Sequence, residues 1–307
     1  MALDDKVVAV VGKSSGREVV KQLLEQGANL TDVFVTHERN RVPGKGFRTY
    51  DDLFEGDIKT RLHKIDKLSD PQNVEVLRDI DPSVIIMNFS EIVRPDILEI
   101  PRVGVFGFHY AKLPDRRGCN PVNWAMLHDL HSSEVTFHQY TPDIDRGGIV
   151  DTEPFKIGTD YHSAVLERVH GCLRALLDRN LQALIDSSAT INPQRGPGIY
   201  TPRLTFEDGK VVFPRSTAED VTGRVRAFSE PFAGAYAMAG PRGAKEKLYI
   251  LEAHTVPYSI VDSGRVIDWK EPKEEIHNQV SFGKAYALTG NGAVRITKTR
   301  LGELESG

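Results

Sequence analysis

Cysteine is almost missing from this chain. Only Cys119 and Cys172 occur in 307 residues, with no metal-ligand spacing around them. A disulfide framework and a thiolate metal centre are therefore excluded, and free thiols in a cytoplasmic, reducing compartment are expected. Long apolar runs are missing too. None approaches the roughly 20 residues that cross a bilayer, so no membrane partner is expected. The first residues, Met1-Ala2-Leu3-Asp4-Asp5-Lys6, lack a basic stretch followed by an apolar core, so no secretion signal is expected. Strong charge of one sign is also absent. A formal net charge of −4 leaves no overall footprint for nucleic acid. Internal repeats and low-complexity tracts are lacking. What remains is ordinary for a folded protein, 40% hydrophobic and 27% charged. A chain of this length buries a substantial core unaided and suggests two domains.

The N-terminal two thirds alternate strand and helix patterns. Lys6–Val11 is a β-branched run that reads as a buried parallel strand. Gly12-Lys13-Ser14-Ser15-Gly16 follows, then a helical pattern to about Gln26 with Val19, Val20, Leu23 and Leu24 on one face. The loop is not a nucleotide-phosphate motif. That motif needs a glycine five residues before Gly12, where this chain has Val7. Asp32–Thr36 and Ser83–Met87 read as further strands, Asp70–Asp79 as a helix and Pro95–Leu98 as a helical turn. The stretch from Glu38 to Thr60 is polar and turn-rich and reads as a loop. Asn120–Leu130 reads as a helix, Val135–Tyr140 and Gly148–Phe155 as strands, and Asp160–Ile185 as a long helix that covers the sheet. This alternation predicts an α/β fold with a doubly wound, mostly parallel, Rossmann-like sheet.

Residues 192–202 are rich in Pro and Gly and read as a linker. Beyond them the texture changes to short strands at Lys210–Phe213, Gly234–Met238, Lys247–Leu251, Ala285–Leu288 and Ala293–Thr297, with a helix near Thr217–Phe228. Such a pattern predicts a smaller open β-barrel. The expected division is residues 1–191, a linker at 192–202, and an OB-like barrel over 203–307.

The candidate chemistry sits where a buried strand stops. Val103–Phe108 is apolar, Leu113-Pro114-Asp115 cannot continue it, and His109 lies between. A titratable group at that address is the usual catalytic position of an open α/β sheet. Downstream, the strand holding Thr136 and His138 leads to Pro142-Asp143-Ile144-Asp145-Arg146-Gly147. His128, His131 and His138 match no metal-site spacing, so no metal is expected.

The pattern His109-x-x-x-Leu113-Pro114-x-x-Arg117-Gly118, followed by Thr136 and by Asp145-x-Gly147, resembles the 10-formyltetrahydrofolate-dependent formyltransferase family. Two positions depart from the family pattern. Gly107 stands where the motif has Asn, and Ala111 where it has Ser. The resemblance implies a formyl donor, 10-formyltetrahydrofolate, and a catalytic domain with a C-terminal barrel. It implies His109 as general acid/base with Asp145 as its orienting partner. It also implies a folate pocket along Met87, Asn88, Phe89, Ser90, Ile92 and Val93, largely through backbone groups, with Asp143 beside it. Ser14 and Ser15 are implied to lie near the acceptor, and Arg117, Asn120 and Asn123 are further candidate substrate contacts. Lys112 suits an anionic substrate or a solvated loop.

Formyl transfer requires removal of an amine proton, stabilisation of negative charge on the formyl oxygen, and protonation of the leaving nitrogen. Histidine beside a carboxylate suits the proton work. The motif Asn donates to the formyl oxygen, and loss of such a donor costs roughly 10²–10³ in rate. Asn88, Asn120, Asn123 or the Gly107 backbone N–H are the substitutes within reach in sequence. A slower or different one-carbon transfer, or binding without catalysis, are the alternatives. For the acceptor, Arg117-Gly118-Cys119-Asn120-Pro121-Val122-Asn123-Trp124 looks closer to the stretch of the aminoarabinose-modifying formyltransferase than to that of the tRNA enzyme. A small amine, such as an amino-sugar nucleotide, is therefore the leading expectation. Methionyl-tRNA as acceptor would need a basic face. Residues 201–307 hold 15 Lys+Arg against 14 Asp+Glu, which disfavours tRNA. A folate-binding pseudoenzyme is the third reading, and a homodimer is compatible with the sequence.

Overall fold

β-branched residues in unbroken runs make strands that are buried on both faces, and β1 (Val7–Val11) is fully buried along its length. The computed structural model describes residues 5–36, 50–54, 60–89, 91–213, 215–241, 246–257, 265–281 and 285–301. After β1 come α1 (Lys13–Glu25), β2 (Leu30–Thr36), β3 (Arg61–Ile65), α2 (Pro71–Ile80), β4 (Val84–Asn88), α3 (Pro95–Leu98), β5 (Gly104–His109), β6 (Arg116–Gly118) and α4 (Pro121–Leu127). The chain continues with β7 (Ser132–Gln139), β8 (Ile149–Lys156), α5 (His162–Ile185) and β9 (Ile199–Thr201). Then follow α6 (Ala218–Ala227), β10 (Ala235–Ala239), β11 (Glu246–Val256), β12 (Arg265–Val266), α7 (Lys273–Ser281), β13 (Ala285–Leu288) and β14 (Ala293–Arg300).

The main sheet has seven strands in the order β3-β2-β1-β4-β5-β7-β8. Strands β1 to β5 pair in parallel, and β7 joins β5 antiparallel. The expected mostly parallel, doubly wound sheet is what forms. Its strand order reverses between β1 and β4, and the crevice at the carboxyl ends of such a pair is where open α/β sheets bind ligands. The two ends are tied there, because the Gly12 N–H donates to the Asn88 carbonyl at 3.1 Å. One face of the sheet packs Val8, Val10, Ile85, Met87 and Val105 with Val74, Leu77 and Ile80 of α2. Each fully buried aliphatic side chain contributes roughly 1.5–3 kcal/mol.

Among the described residues the C-terminal sheet runs β10-β11-β14-β13-β12, with β10 and β12 at its edges. Its pairs are antiparallel except β12 with β13. Helix α6 starts with a capping box, in which Thr217 accepts from the Asp220 N–H and Asp220 answers to the Thr217 N–H. By compactness the chain divides into two units. The first holds Met1–Pro121, Ser133–Phe155 and Glu167–Pro202, and the second holds Val122–Ser132, Lys156–Leu166 and Arg203–Gly307.

Several elements were not expected. β3 carries Arg61, His63 and Lys64, which hid its strand character. It forms because the fully buried Asp32 of β2 holds Arg61 at 2.9 Å and His63 at 2.7 Å. Residues 192–202, expected as a linker, include β9, which pairs in parallel with β6. Lys210–Phe213 forms no strand. Only Lys210 bridges to Tyr236, after a short 3-10 turn at Phe206–Gly209.

Candidate active site

His109 ends β5, and its side chain is buried. Its Nε2 lies 2.7 Å from the Arg116 carbonyl. A carbonyl only accepts, so Nε2 carries the hydrogen and Nδ1 carries the lone pair of the neutral ring. Nδ1 faces Asp145 Oδ2 at 3.5 Å. Burial holds the His109 pKa below the ordinary histidine value, against the opposing pull of Asp145 and the Arg116 carbonyl. The ring is thus neutral near pH 7, with one nitrogen open to a proton and a carboxylate beside it.

A second histidine shares the carboxylate. His138 of β7 lies directly across from Gly107. Its Nδ1 donates to the Gln139 carbonyl at 2.9 Å, and its Nε2 faces Asp145 Oδ1 at 3.8 Å. That Nε2 is buried and has no hydrogen-bond partner among the described residues. Burial first, and then the neighbouring His109, hold His138 well below the ordinary range. From the sequence, His138 is weighed only as a metal ligand, and its spacing speaks against that. Its role becomes visible once the β5–β7 register is known.

Asp145 is held from several sides. It adopts a left-handed backbone, φ +52°, which is uncommon without glycine. Its carbonyl accepts from Arg117 Nε at 3.1 Å and from Gln194 Nε2 at 2.8 Å. Its carboxylate accepts the Gly118 N–H at 2.7 Å. Gly118 has φ +96°, and a Cβ there would stand 2.4 Å from the Thr201 carbonyl. Only glycine brings that N–H to the carboxylate. Arg117 is buried and is spent on Asp145 and Gln194. Gln194 carried no sequence signal.

A hydrogen-bonded line runs on the other face of β5. Tyr110 Oη donates to Asn88 Oδ1 at 2.8 Å and also bonds Ser15, whose Oγ lies 3.0 Å from His170 Nε2. Ser15 and His170 are both buried. Asn88 Nδ2 remains buried and unpartnered among the described residues. It is a donor at the topological switch point with no internal acceptor, which fits a ligand carbonyl or ring nitrogen.

At Gly107 the structure explains a departure from the motif. A Cβ there would meet the Met87 carbonyl at 2.4 Å and Tyr140 Cε2 at 2.5 Å. The tyrosine ring fills the place. Ala111 is fully buried, and its carbonyl accepts from Thr136 Oγ1 at 2.8 Å.

The remaining expected residues are spread out. Met87 and Val93 are buried in the core, and Phe89 packs against it. Ile92 and Asp143 are exposed. Lys112 is exposed and pairs with Asp115 at 3.8 Å. Asn120 has φ +51° and closes the turn before α4. Asn123 lies in the second unit, where its Nδ2 donates to the Ala227 carbonyl at 2.7 Å. Ser90 and the Ser14 side chain lie outside the described residues.

Residues 6–175 match the family model described as formyl transferase. Among curated proteins, the chain is 28% identical over 187 residues to the bifunctional polymyxin resistance protein ArnA of Wigglesworthia glossinidia brevipalpis, covering 58% of this chain and 28% of that protein. It is 27% identical over 225 residues to the methionyl-tRNA formyltransferase of Pelotomaculum thermopropionicum, covering 70% and 69%. Among solved structures, HypX from Aquifex aeolicus in complex with tetrahydrofolic acid aligns with a TM-score of 0.65 at 15% identity, over 98% of this chain and 45% of that one. The N-formyltransferase from Helicobacter canadensis, in complex with folinic acid and dTDP-3-aminofucose, aligns at 0.60 and 17% identity, over 82% and 88%. The chain thus spans under a third of ArnA and under half of HypX.

Proposed function

The chain belongs to the formyl transferase family, and we propose that it moves a formyl group from 10-formyltetrahydrofolate to a primary amine of a small acceptor, an amino-sugar nucleotide. The observation that carries this reading is the neutral His109 with its bare Nδ1 3.5 Å from Asp145, at the carboxyl end of β5. Nδ1 is where an attacking amine's proton would go. Asp145 then stabilises the imidazolium, and the Arg116 carbonyl keeps the ring from turning. Asn88, Phe89, Ile92 and Asp143 would hold the folate, with Met87, Ser90 and Val93 lending backbone groups. The bound folate supplies the formyl carbon.

The acceptor class rests on two features. The near-balanced charge of residues 201–307 counts against tRNA as the acceptor, and the Arg117–Trp124 stretch resembles that of a sugar-modifying enzyme. The likeness to an N-formyltransferase bound to dTDP-3-aminofucose is consistent with it.

The test is a crystal soaked with a stable formyl-folate analogue and, separately, with a panel of amino-sugar nucleotides, alongside a formyl-transfer assay on the same panel. Ordered pterin along residues 87–93 and an amine beside His109 are expected. A folate pocket filled by the protein's own side chains would sink the reading. Salt-dependent tRNA binding with formylation of methionyl-tRNA would replace the acceptor.

A further inference from the structure

Charge developing on a formyl oxygen needs a hydrogen-bond donor on the same face as the base. The face is fixed by register. Gly107 and His109 are two residues apart on β5 and point the same way. Met87 is the β4 partner of Gly107, so Asn88 belongs to the opposite face, with Tyr110. Asn123 is committed to the Ala227 carbonyl. None of these amides replaces a side chain at position 107.

We propose that the hydroxyl of Tyr140 is the donor to the formyl oxygen, standing in for the amide that Gly107 cannot provide. This rests on the formyltransferase reading above. Tyr140 Oη lies 3.1 Å from where a residue-107 Cβ would be, inside the volume a side chain there would occupy. The ring is held for the task. The Tyr140 N–H donates to the Val105 carbonyl at 2.8 Å, and the ring stacks on His138 with centroids 5.4 Å apart and planes 8° apart. A phenol hydroxyl donates one hydrogen, and that hydrogen is what Tyr140 offers to the formyl oxygen. Burial, then Asp145 and Tyr110, push the phenol pKa up, which keeps that hydrogen in place at neutral pH. Gly107 and Tyr140 are thus one feature: the glycine opens the notch and the tyrosine reaches into it from the next strand.

A bland alternative is that an aromatic ring merely covers a strand glycine. Phenylalanine would do that equally well, so Tyr140→Phe separates the two. The full-length protein is loaded with 10-formyl-5,8-dideazafolate carrying 13C at the formyl carbon, and the isotope-edited carbonyl stretch is recorded. The expected result for Tyr140→Phe is a shift of that band to higher frequency with the thermal midpoint retained. Formyl transfer to the amino-sugar nucleotide used by the wild type should fall about 10²–10³-fold. Replacing Tyr140 with 3-fluorotyrosine, a stronger donor of nearly the same shape, should move the band the other way. An unchanged band and rate in Tyr140→Phe would overturn the proposal while leaving the formyltransferase reading intact. A wild type that binds no formyl folate would overturn both.

Discussion

At the scale of single residues the site is a set of committed and uncommitted protons. His109 and His138 each spend one ring nitrogen on a backbone carbonyl and turn the other toward Asp145. Asp145→Asn keeps an oxygen for the Gly118 N–H but removes the charge. Since Asp145 raises the His109 pKa, its loss should move the acid limb of the pH–rate profile to still lower pH. The rate on the plateau should fall by about 10²–10⁴, because the imidazolium loses its support. An acid limb that stayed put would remove Asp145 from the proton path. Gly107→Asn is the converse case. Restoring the motif residue should lower activity, because its Cβ needs space held by the Met87 carbonyl and the Tyr140 ring. Overpacking of this kind costs about 1–3 kcal/mol, seen as a lower thermal midpoint. A gain in transfer rate would mean that the notch is a plain loss. His109 and Asp145 were legible in the sequence because motif spacing fixes them. Tyr140 was not, because its meaning depends on which residue of β5 it crosses.

At the scale of elements, what shapes the site is a pair of three-residue strands. β6 and β9 pair over Arg116–Gly118 and Ile199–Thr201 and leave Gln194 beside the Asp145 turn. There its amide nitrogen donates to the Asp145 and Gly147 carbonyls, while its oxygen accepts from Arg117. Gln194→Ala should cost on the order of 1–3 kcal/mol in stability, because it removes the bonds to Arg117, Asp145 and Gly147 together. It should cost more in catalysis, with faster hydrogen exchange confined to the 142–148 turn. Equal losses in stability and rate, with no local change in exchange, would show that Gln194 only supports the fold. Long β-branched runs and the amphipathic helices were readable because burial writes a period into the sequence. β6 and β9 are too short to carry a period, and Pro and Gly around Ile199 mimic a linker. α7 shows only Ile276 and Val280 buried one turn apart, too little to separate it from its polar surroundings.

At the scale of the whole molecule, buried histidines link stability to pH. His162 opens α5, is buried, and has an Nδ1 without a hydrogen-bond partner among the described residues. Burial pushes its pKa down to about 4, against a weaker contact with the Glu230 backbone. In the unfolded chain it titrates near 6.5. Above that value neither state binds the proton and the group is silent. As pH falls from about 6.5 to about 4, only the unfolded chain takes up the proton, so folding loses on the order of 3 kcal/mol from this residue. Below about 4 both states are protonated and the loss levels off. His109 and His138 are displaced in the same direction and add to the slope. Urea denaturation at several pH values between 7 and 4 should therefore show stability falling steadily through the histidine range. His162→Gln, whatever it costs at pH 7, should flatten that fall, because it cannot take up a proton in either state. If the variant keeps the wild-type slope, the buried ring at the start of α5 is not what ties this fold to pH.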